Sequence, residues 1–302
     1  MDLTEIARGV FFAQLGAMQH LLQGCIEGKE PLFLHDLRVA NRRTRVALII
    51  FKDLLPEKIF LQYQLDFQWV HQITGGVRDL DIGLSYFPFY VKQVPKSWRS
   101  HLEPLKSLME EKRKTAQGEL ARVLGSEKMS GIINSWTNLL QSGILEGNSI
   151  SQEPAREYGC QRIVKRFKQL RKRGLKLSKN TAAEKYHEFR INVKELRYLM
   201  EFFHPVMDHE ELEKLKIDLK SVQDAFGDFQ DTEVQLINLR LFTQELHQEG
   251  VSLDTLLALG QLLGVFEKKL SRSKKNCLKQ ARRITTDSTA RAFQSCFQYP
   301  VE

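Results

Sequence analysis

His35-Asp36-Leu37-Arg38-Val39-Ala40-Asn41-Arg42-Arg43-Thr44-Arg45 is matched, 152 residues further on, by His187-Glu188-Phe189-Arg190-Ile191-Asn192-Val193-Lys194-Glu195-Leu196-Arg197. The same offset continues downstream without an insertion: Phe51 falls on Phe203, Asp66 on Asp218, Val70 on Val222, Gly75 on Gly227 and Asp79 on Asp231. A constant spacing of half the 302-residue chain marks an internal duplication. The stretch Gly143-Ile144-Leu145-Glu146-Gly147-Asn148-Ser149-Ile150-Ser151-Gln152-Glu153-Pro154 reads as the connection between the copies. This divides the chain into a first repeat at 1–142, a linker at 143–157 and a second repeat at 158–302.

Between these landmarks the pattern is helical. Apolar residues recur at Leu37, Ala40, Ala47, Leu48, Phe51 and Leu55, the three-to-four spacing of an amphipathic helix, and again at Phe189, Leu196, Leu199, Met200 and Phe203. Breakers fall between periodic segments, at Pro31, Pro56, Gly75-Gly76, Pro88, Pro95, Pro104, Pro154, Gly174, Pro205 and Gly227. Helices of about 15–25 residues fit between them, and no Gly-rich strand–turn–helix of a nucleotide-binding sheet is present. The expectation is an all-α fold, a pair of helical bundles.

The chemistry lies on the first quoted helix. At about 100° per residue, His35, Arg38, Arg42 and Arg45 fall within one arc of about 80°. Opposite them lies the main apolar stripe, but Val39, Val46 and Ile50 flank the row and Ile49 falls inside it. In the second copy Ile191, Tyr198 and Phe202 stand beside His187, Arg190, Lys194 and Arg197. A helix apolar on two sides is sandwiched, so its basic row lines a partly covered groove. Crowded cations there repel one another and lose hydration, and closely spaced negative charge relieves both costs. Arginine suits phosphate oxygens through paired, charge-assisted hydrogen bonds. Steps of three and four residues place the charges about 5–6 Å apart along the axis, which suits a linear anion. A salt-bridged structural row is the competing reading.

The wider charge pattern agrees. Lys and Arg outnumber Asp and Glu by 45 to 37, a net charge of +8. Ten cations face one acid between 155 and 180, and eight face one acid between 267 and 283. From these clusters and the first row come further candidate anion contacts: Arg43, Arg162, Lys165, Arg166, Arg272, Lys275 and Lys279. No run of 18 apolar residues occurs, the first residues lack a signal-peptide pattern, and Cys25, Cys160, Cys277 and Cys296 form no CxxC pair. The expectation is a cytoplasmic protein with reduced thiols.

His35 and His187 open the two rows, and anion binding, a structural role, and metal or phosphotransfer chemistry all remain open for them. Metal-ligand spacing is missing around both, so no metal or cofactor is expected. The segments Gly75-Gly76-Val77-Arg78-Asp79-Leu80-Asp81 and Gly227-Asp228-Phe229-Gln230-Asp231-Thr232-Glu233 place glycines that break or kink a helix beside an acid. Asp79 and Asp231 are expected to cap the next helix or to orient an arginine of the row. No phosphate-binding loop, nucleophile elbow or carboxylate cluster for magnesium is present, and no catalytic residue is expected.

The paired motif resembles that of the CHAD family, the conserved-histidine α-helical domain. The resemblance rests on His35…Arg38-Val39…Arg42-Arg43…Arg45 with the Gly-Val-Arg-Asp-Leu-Asp-Ile segment, and on His187…Arg190-Ile191…Lys194…Leu196-Arg197-Tyr198…Glu201-Phe202-Phe203. It spans about residues 5–290. It implies two pseudo-symmetric helical bundles around a basic central cavity that binds inorganic polyphosphate without established catalysis. It also implies a triphosphate-tunnel or polyphosphate-metabolising enzyme as a partner in trans, and a place at polyphosphate granules. This chain departs from the pattern at Lys194, at Glu195, which aligns with Arg43, and at Gln230, which aligns with Arg78. Two other functions fit the residues: binding of an RNA or DNA phosphate backbone, and a phosphatase or phosphotransferase using His35 or His187. Few aromatics interleave the basic cluster at 155–180, only Tyr158 and Phe167, which argues against base stacking.

Overall fold

A computed structural model describes residues 1–146, 152, 154–207 and 209–297, with 209–211 given as backbone only. Part of the expected linker, 147–151 and 153, lies outside the described residues. Among the described residues the fold is all-helical, without strands. Eleven α-helices follow in order: α1 Leu3–Glu27, α2 Pro31–Ile50, α3 Glu57–Ile73, α4 Gly75–Gln93, α5 Glu103–Leu124, α6 Glu127–Gln141, α7 Ala155–Gly174, α8 Ala183–Phe202, α9 His209–Gln248, α10 Leu253–Ile284 and α11 Asp287–Cys296. Short 3-10 turns occupy Lys52–Leu54, Lys96–Leu102 and His204–Val206. None of the described helices is long and apolar enough to cross a membrane.

Local chemistry sets the ends. Asp2 and Glu5 close a capping box on α1, the Asp2 carboxylate accepting from the Glu5 N–H at 2.8 Å and the Glu5 carboxylate from the Asp2 N–H at 2.9 Å. Gly28, at φ 62°, ends the same helix in the left-handed conformation that glycine adopts freely. Pro31 then starts α2, where its missing N–H costs no hydrogen bond. Two of the expected breakers do not break. Pro88 lies inside α4 on an exposed position, with Phe87 and Tyr90 buried on either side of it. Gly227 lies inside α9, which runs for 40 residues because buried Phe226, Phe229 and Leu236 anchor it, a gain that exceeds the ~1 kcal/mol a helical glycine costs.

Helix α2 is covered by α1, α3, α4 and α8, while α8 packs against α7, α9 and α2. The main stripe is buried as expected at Leu37, Ala40, Ala47, Leu48, Phe51 and Leu55, and the flank at Val46 and Ile50. In α8 Tyr198 and Phe202 are buried, but Ile191 is 41% exposed, so the second copy is covered on that side only towards its C-terminal end. The larger core reaches from Leu3 to Phe297, and a smaller one joins α4, α5, α9 and α10 around Tyr90, Leu105, Leu262 and Phe266. Each draws on residues from both sides of the 143–157 stretch. Both cores are therefore shared by the two expected repeats. Helix α7 begins at Ala155, inside that stretch.

Candidate functional site

The facing sides of α2 and α8 bring cations of both quoted motifs together. Arg42 donates from Nε to the Tyr198 hydroxyl at 3.2 Å. Arg43 meets Glu201 at 2.5 Å and lies over the rings of Tyr198 and Phe202 at 5.2 and 5.3 Å. Arg197 donates to the other Glu201 oxygen at 3.0 Å, so one carboxylate ties both helices at this end. Arg43, beside the first row, and Arg197, within the second, are both paired at this end.

Arg38 has a second duty. Its Nη1 donates to the His71 carbonyl at 2.8 Å and to the Thr74 hydroxyl at 2.7 Å. The Thr74 hydroxyl in turn donates to the Val70 carbonyl at 2.8 Å. Arg38 thus caps the C-terminus of α3, where a cation also meets the negative end of the helix dipole. This explains why the chain divides into α3 and α4 here, whereas its counterpart α9 continues through Phe226 and Gly227. Arg190, facing the unbroken helix, gets no carbonyl. It lies 3.8 Å from Asp231, and its buried Nε has no hydrogen-bond partner among the described residues. Burial, only partly offset by Asp231, lowers its pKa.

Lys194 is the most perturbed cation. Burial, then Arg190 and Arg42, push its pKa down to about 7. No carboxylate lies within ion-pair distance of it among the described residues. Arg45 is half-buried, its pKa lowered by desolvation, and its Nε is likewise without a partner. His71 of α3, absent from the expected site, completes the cluster. Burial and then Arg38, Arg45, Arg42 and Lys194 lower its pKa to about 4, and its Nδ1 is buried without a partner. His35 is pushed down by burial and by Arg78. Asp79 has its pKa raised by desolvation and by Asp231, against the pull of Arg38 and Arg78. Neither aspartate accepts from a helix N-terminus among the described contacts. Asp231 approaches Arg190 of the second row at 3.8 Å.

Other expected contacts are not in this cluster. His187 is exposed and pairs through Nδ1 with Gln230 Oε1 at 2.7 Å, so the second row effectively begins at Arg190. Arg162 is held by Asp53 and stacks over Tyr158 at 4.4 Å, while Arg166 meets Glu195 at 2.8 Å. Lys165 lines a hollow of about 540 Å³ between α7 and α11. Arg272, Lys275 and Lys279 stand exposed on α10. The more pronounced hollows, this one and a 230 Å³ one beside Arg43, thus do not coincide with the Lys194 cluster.

Neutral His71 has a measurable consequence. An unfolded histidine takes a proton near pH 6.5, whereas folded His71 resists until about pH 4. Stability therefore falls as pH drops through this interval. Urea unfolding at both ends of the range should show a larger acid loss for the wild type than for His71→Gln. Equal losses would remove His71 from the buried cluster.

The CHAD domain model matches residues 9–240, and the chain belongs to the CHAD-domain family. The crystal structure of the CHAD domain from the plant Ricinus communis superposes with a TM-score of 0.77 at 22% identity, over 93% of this chain and 92% of that one. PptA from Streptomyces chartreusis superposes with a TM-score of 0.70 at 14% identity, over 94% of this chain and all of the other. At these identities the likeness is one of fold. No curated protein matches the sequence.

Proposed function

We propose that the chain binds inorganic polyphosphate, without turning it over, in a basic groove or pore between two pseudo-symmetric repeats. The observation that carries this reading is the cluster of Arg42, Arg45, Arg190 and Lys194 beside His71, in which Arg45 Nε and Arg190 Nε are buried without a hydrogen-bond partner among the described residues. Like charges are held together there with buried donors left over, an arrangement that a row of phosphate oxygens satisfies. A local two-fold relation is supported by three pairs of residues 152 apart that meet their own counterparts. Phe51 lies tilted against Phe203 at 5.7 Å, Arg42 depresses Lys194, and Asp79 feels Asp231. In a symmetric pairing, equivalents touch only at the axis. Helix α8 and the 204–206 turn also lie 152 residues after α2 and the 52–54 turn at both ends.

The proposal includes a cytoplasmic setting, at polyphosphate granules, with a polyphosphate-metabolising or triphosphate-tunnel enzyme as partner in trans. It is tested by competition of labelled polyphosphate with RNA and heparin at two salt concentrations. Polyphosphate should resist RNA; equal or better competition by RNA identifies a nucleic-acid backbone as the ligand instead. Incubation with polyphosphate and Mg²⁺ should release no phosphate, and steady release overturns the non-enzymatic reading.

A further inference from the structure

Helix α10 carries a basic face that the groove does not use. Its buried side holds Leu262, Phe266, Ser273, Cys277, Ala281 and Ile284. Directly opposite, Lys268, Arg272, Lys275, Lys279 and Arg282 fall within an arc of about 80° and extend over about 21 Å of helix. All five are exposed, and none has an ion pair or side-chain hydrogen bond among the described residues. No acid interrupts the arc. Neighbouring like charges at three- and four-residue steps destabilise a helix, and a solvated face ordinarily intersperses acids to relieve this. Glu267, just outside the arc, is instead paired with Arg240 at 2.7 Å.

We propose that this outward face of α10 is a second contact surface for the same polyanion, engaged by long polyphosphate chains whose other part occupies the groove. The inference rests on the groove reading given above. Two observations select this occupant. The stripe repeats the groove's spacing: Arg272, Lys275, Lys279 and Arg282 stand at i, i+3, i+7 and i+10, as do His35, Arg38, Arg42 and Arg45. It also carries no aromatic side chain on which a base would stack. Continuity comes from Lys274, next to the stripe, which donates to the Thr181 carbonyl at 3.1 Å and lies 5.2 Å from the Tyr186 ring. Helix α10 thus passes the N-terminal end of α8, about two turns before Arg190.

Tethering a chain at two sites multiplies its affinity, whereas a chain too short to reach both gains nothing. The test compares short- and long-chain polyphosphate on the wild type and on a protein carrying Lys268→Gln, Arg272→Gln, Lys275→Gln, Lys279→Gln and Arg282→Gln. Glutamine keeps the helix propensity of the face, and circular dichroism checks folding. Short-chain affinity should be unchanged, while long-chain affinity falls about tenfold or more with a shallower salt dependence. A two-site variant, Arg272→Gln with Lys279→Gln, should show a smaller loss of the same kind. Unchanged long-chain affinity in the five-site variant overturns the proposal. So does stripe-dependent capture of the wild type by vesicles rich in anionic lipid in preference to polyphosphate, because Leu253 and Leu257 lie exposed further along α10. Failure of the wild type to bind even short chains counts against the groove, not the stripe alone.

Discussion

A protein carrying both Arg42→Gln and Lys194→Gln is expected to bind short-chain polyphosphate about a hundredfold or more weakly than the wild type, and to melt at a higher temperature. These two side chains are counterparts 152 residues apart and face each other at the centre of the cluster, where Arg42 helps to depress Lys194. Each charge-assisted hydrogen bond to a phosphate oxygen contributes about 1.5–3 kcal/mol. Two together amount to about 3–6 kcal/mol, or two to four decades of affinity at about 1.4 kcal/mol per decade. The stability change has the opposite sign because the apo protein sheds the mutual repulsion of two half-buried cations. Glutamine retains length and hydrogen-bonding capacity. Calorimetric titration and thermal denaturation read the two effects, with Lys168→Gln plus Lys172→Gln, both exposed on α7, as a variant that keeps full affinity. Retained affinity in the Arg42/Lys194 variant removes the ligand from this groove. A lower melting temperature shows that the pair holds the fold together. Arg38 is a poorer probe, because replacing it also uncaps α3.

Arg38 marks the division between what was legible in the sequence and what was not. The limits of α2 and α8 follow from local signals, periodic apolar residues and Pro31 at a first helical position, and the repeat carries them from one half to the other. The basic arcs follow from the same periodicity. Their convergence does not, since it depends on how α2 crosses α8, which Phe51, Phe202 and Phe203 settle by packing. Arg38 looked interchangeable with Arg190, but only the first half offers a helix C-terminus to cap. Its signal is Thr74, whose counterpart is Phe226, a difference between the copies rather than a likeness. His71 escaped for a similar reason: its counterpart is Gln223, so a search for repeated residues passes over it. Glu201 was within reach, four residues after Arg197, a spacing that pairs opposite charges on a helix. His187 lies on the same arc as the row, and Gln230, in the place of Arg78, holds it in an exposed pair.

Polyphosphate affinity is expected to decline as pH rises above about 7, by up to about tenfold per pH unit, through Lys194. In the free protein its ammonium is surrounded by Arg42 from α2, Arg190 and Arg197 from α8 and His71 from α3, with Asp231 of α9 the nearby acid. Its folded pKa of about 7 is far below the ordinary 10.5, so above neutral pH the free site holds it largely uncharged. A bound phosphate row favours the charged form, raises the pKa and draws in one proton. Binding measured in buffers of different ionisation enthalpy should therefore show proton uptake that grows from about pH 6 to about pH 8.5. Without ligand the sign for stability is the reverse. The unfolded lysine holds its proton up to about 10.5 and the folded one only to about 7, so stability rises with pH across that window. Lys194→Arg, which stays charged throughout, should flatten the affinity profile and bind more tightly than the wild type at alkaline pH. A slope that survives in Lys194→Arg assigns the proton to His35 or His71 and overturns the role given to Lys194.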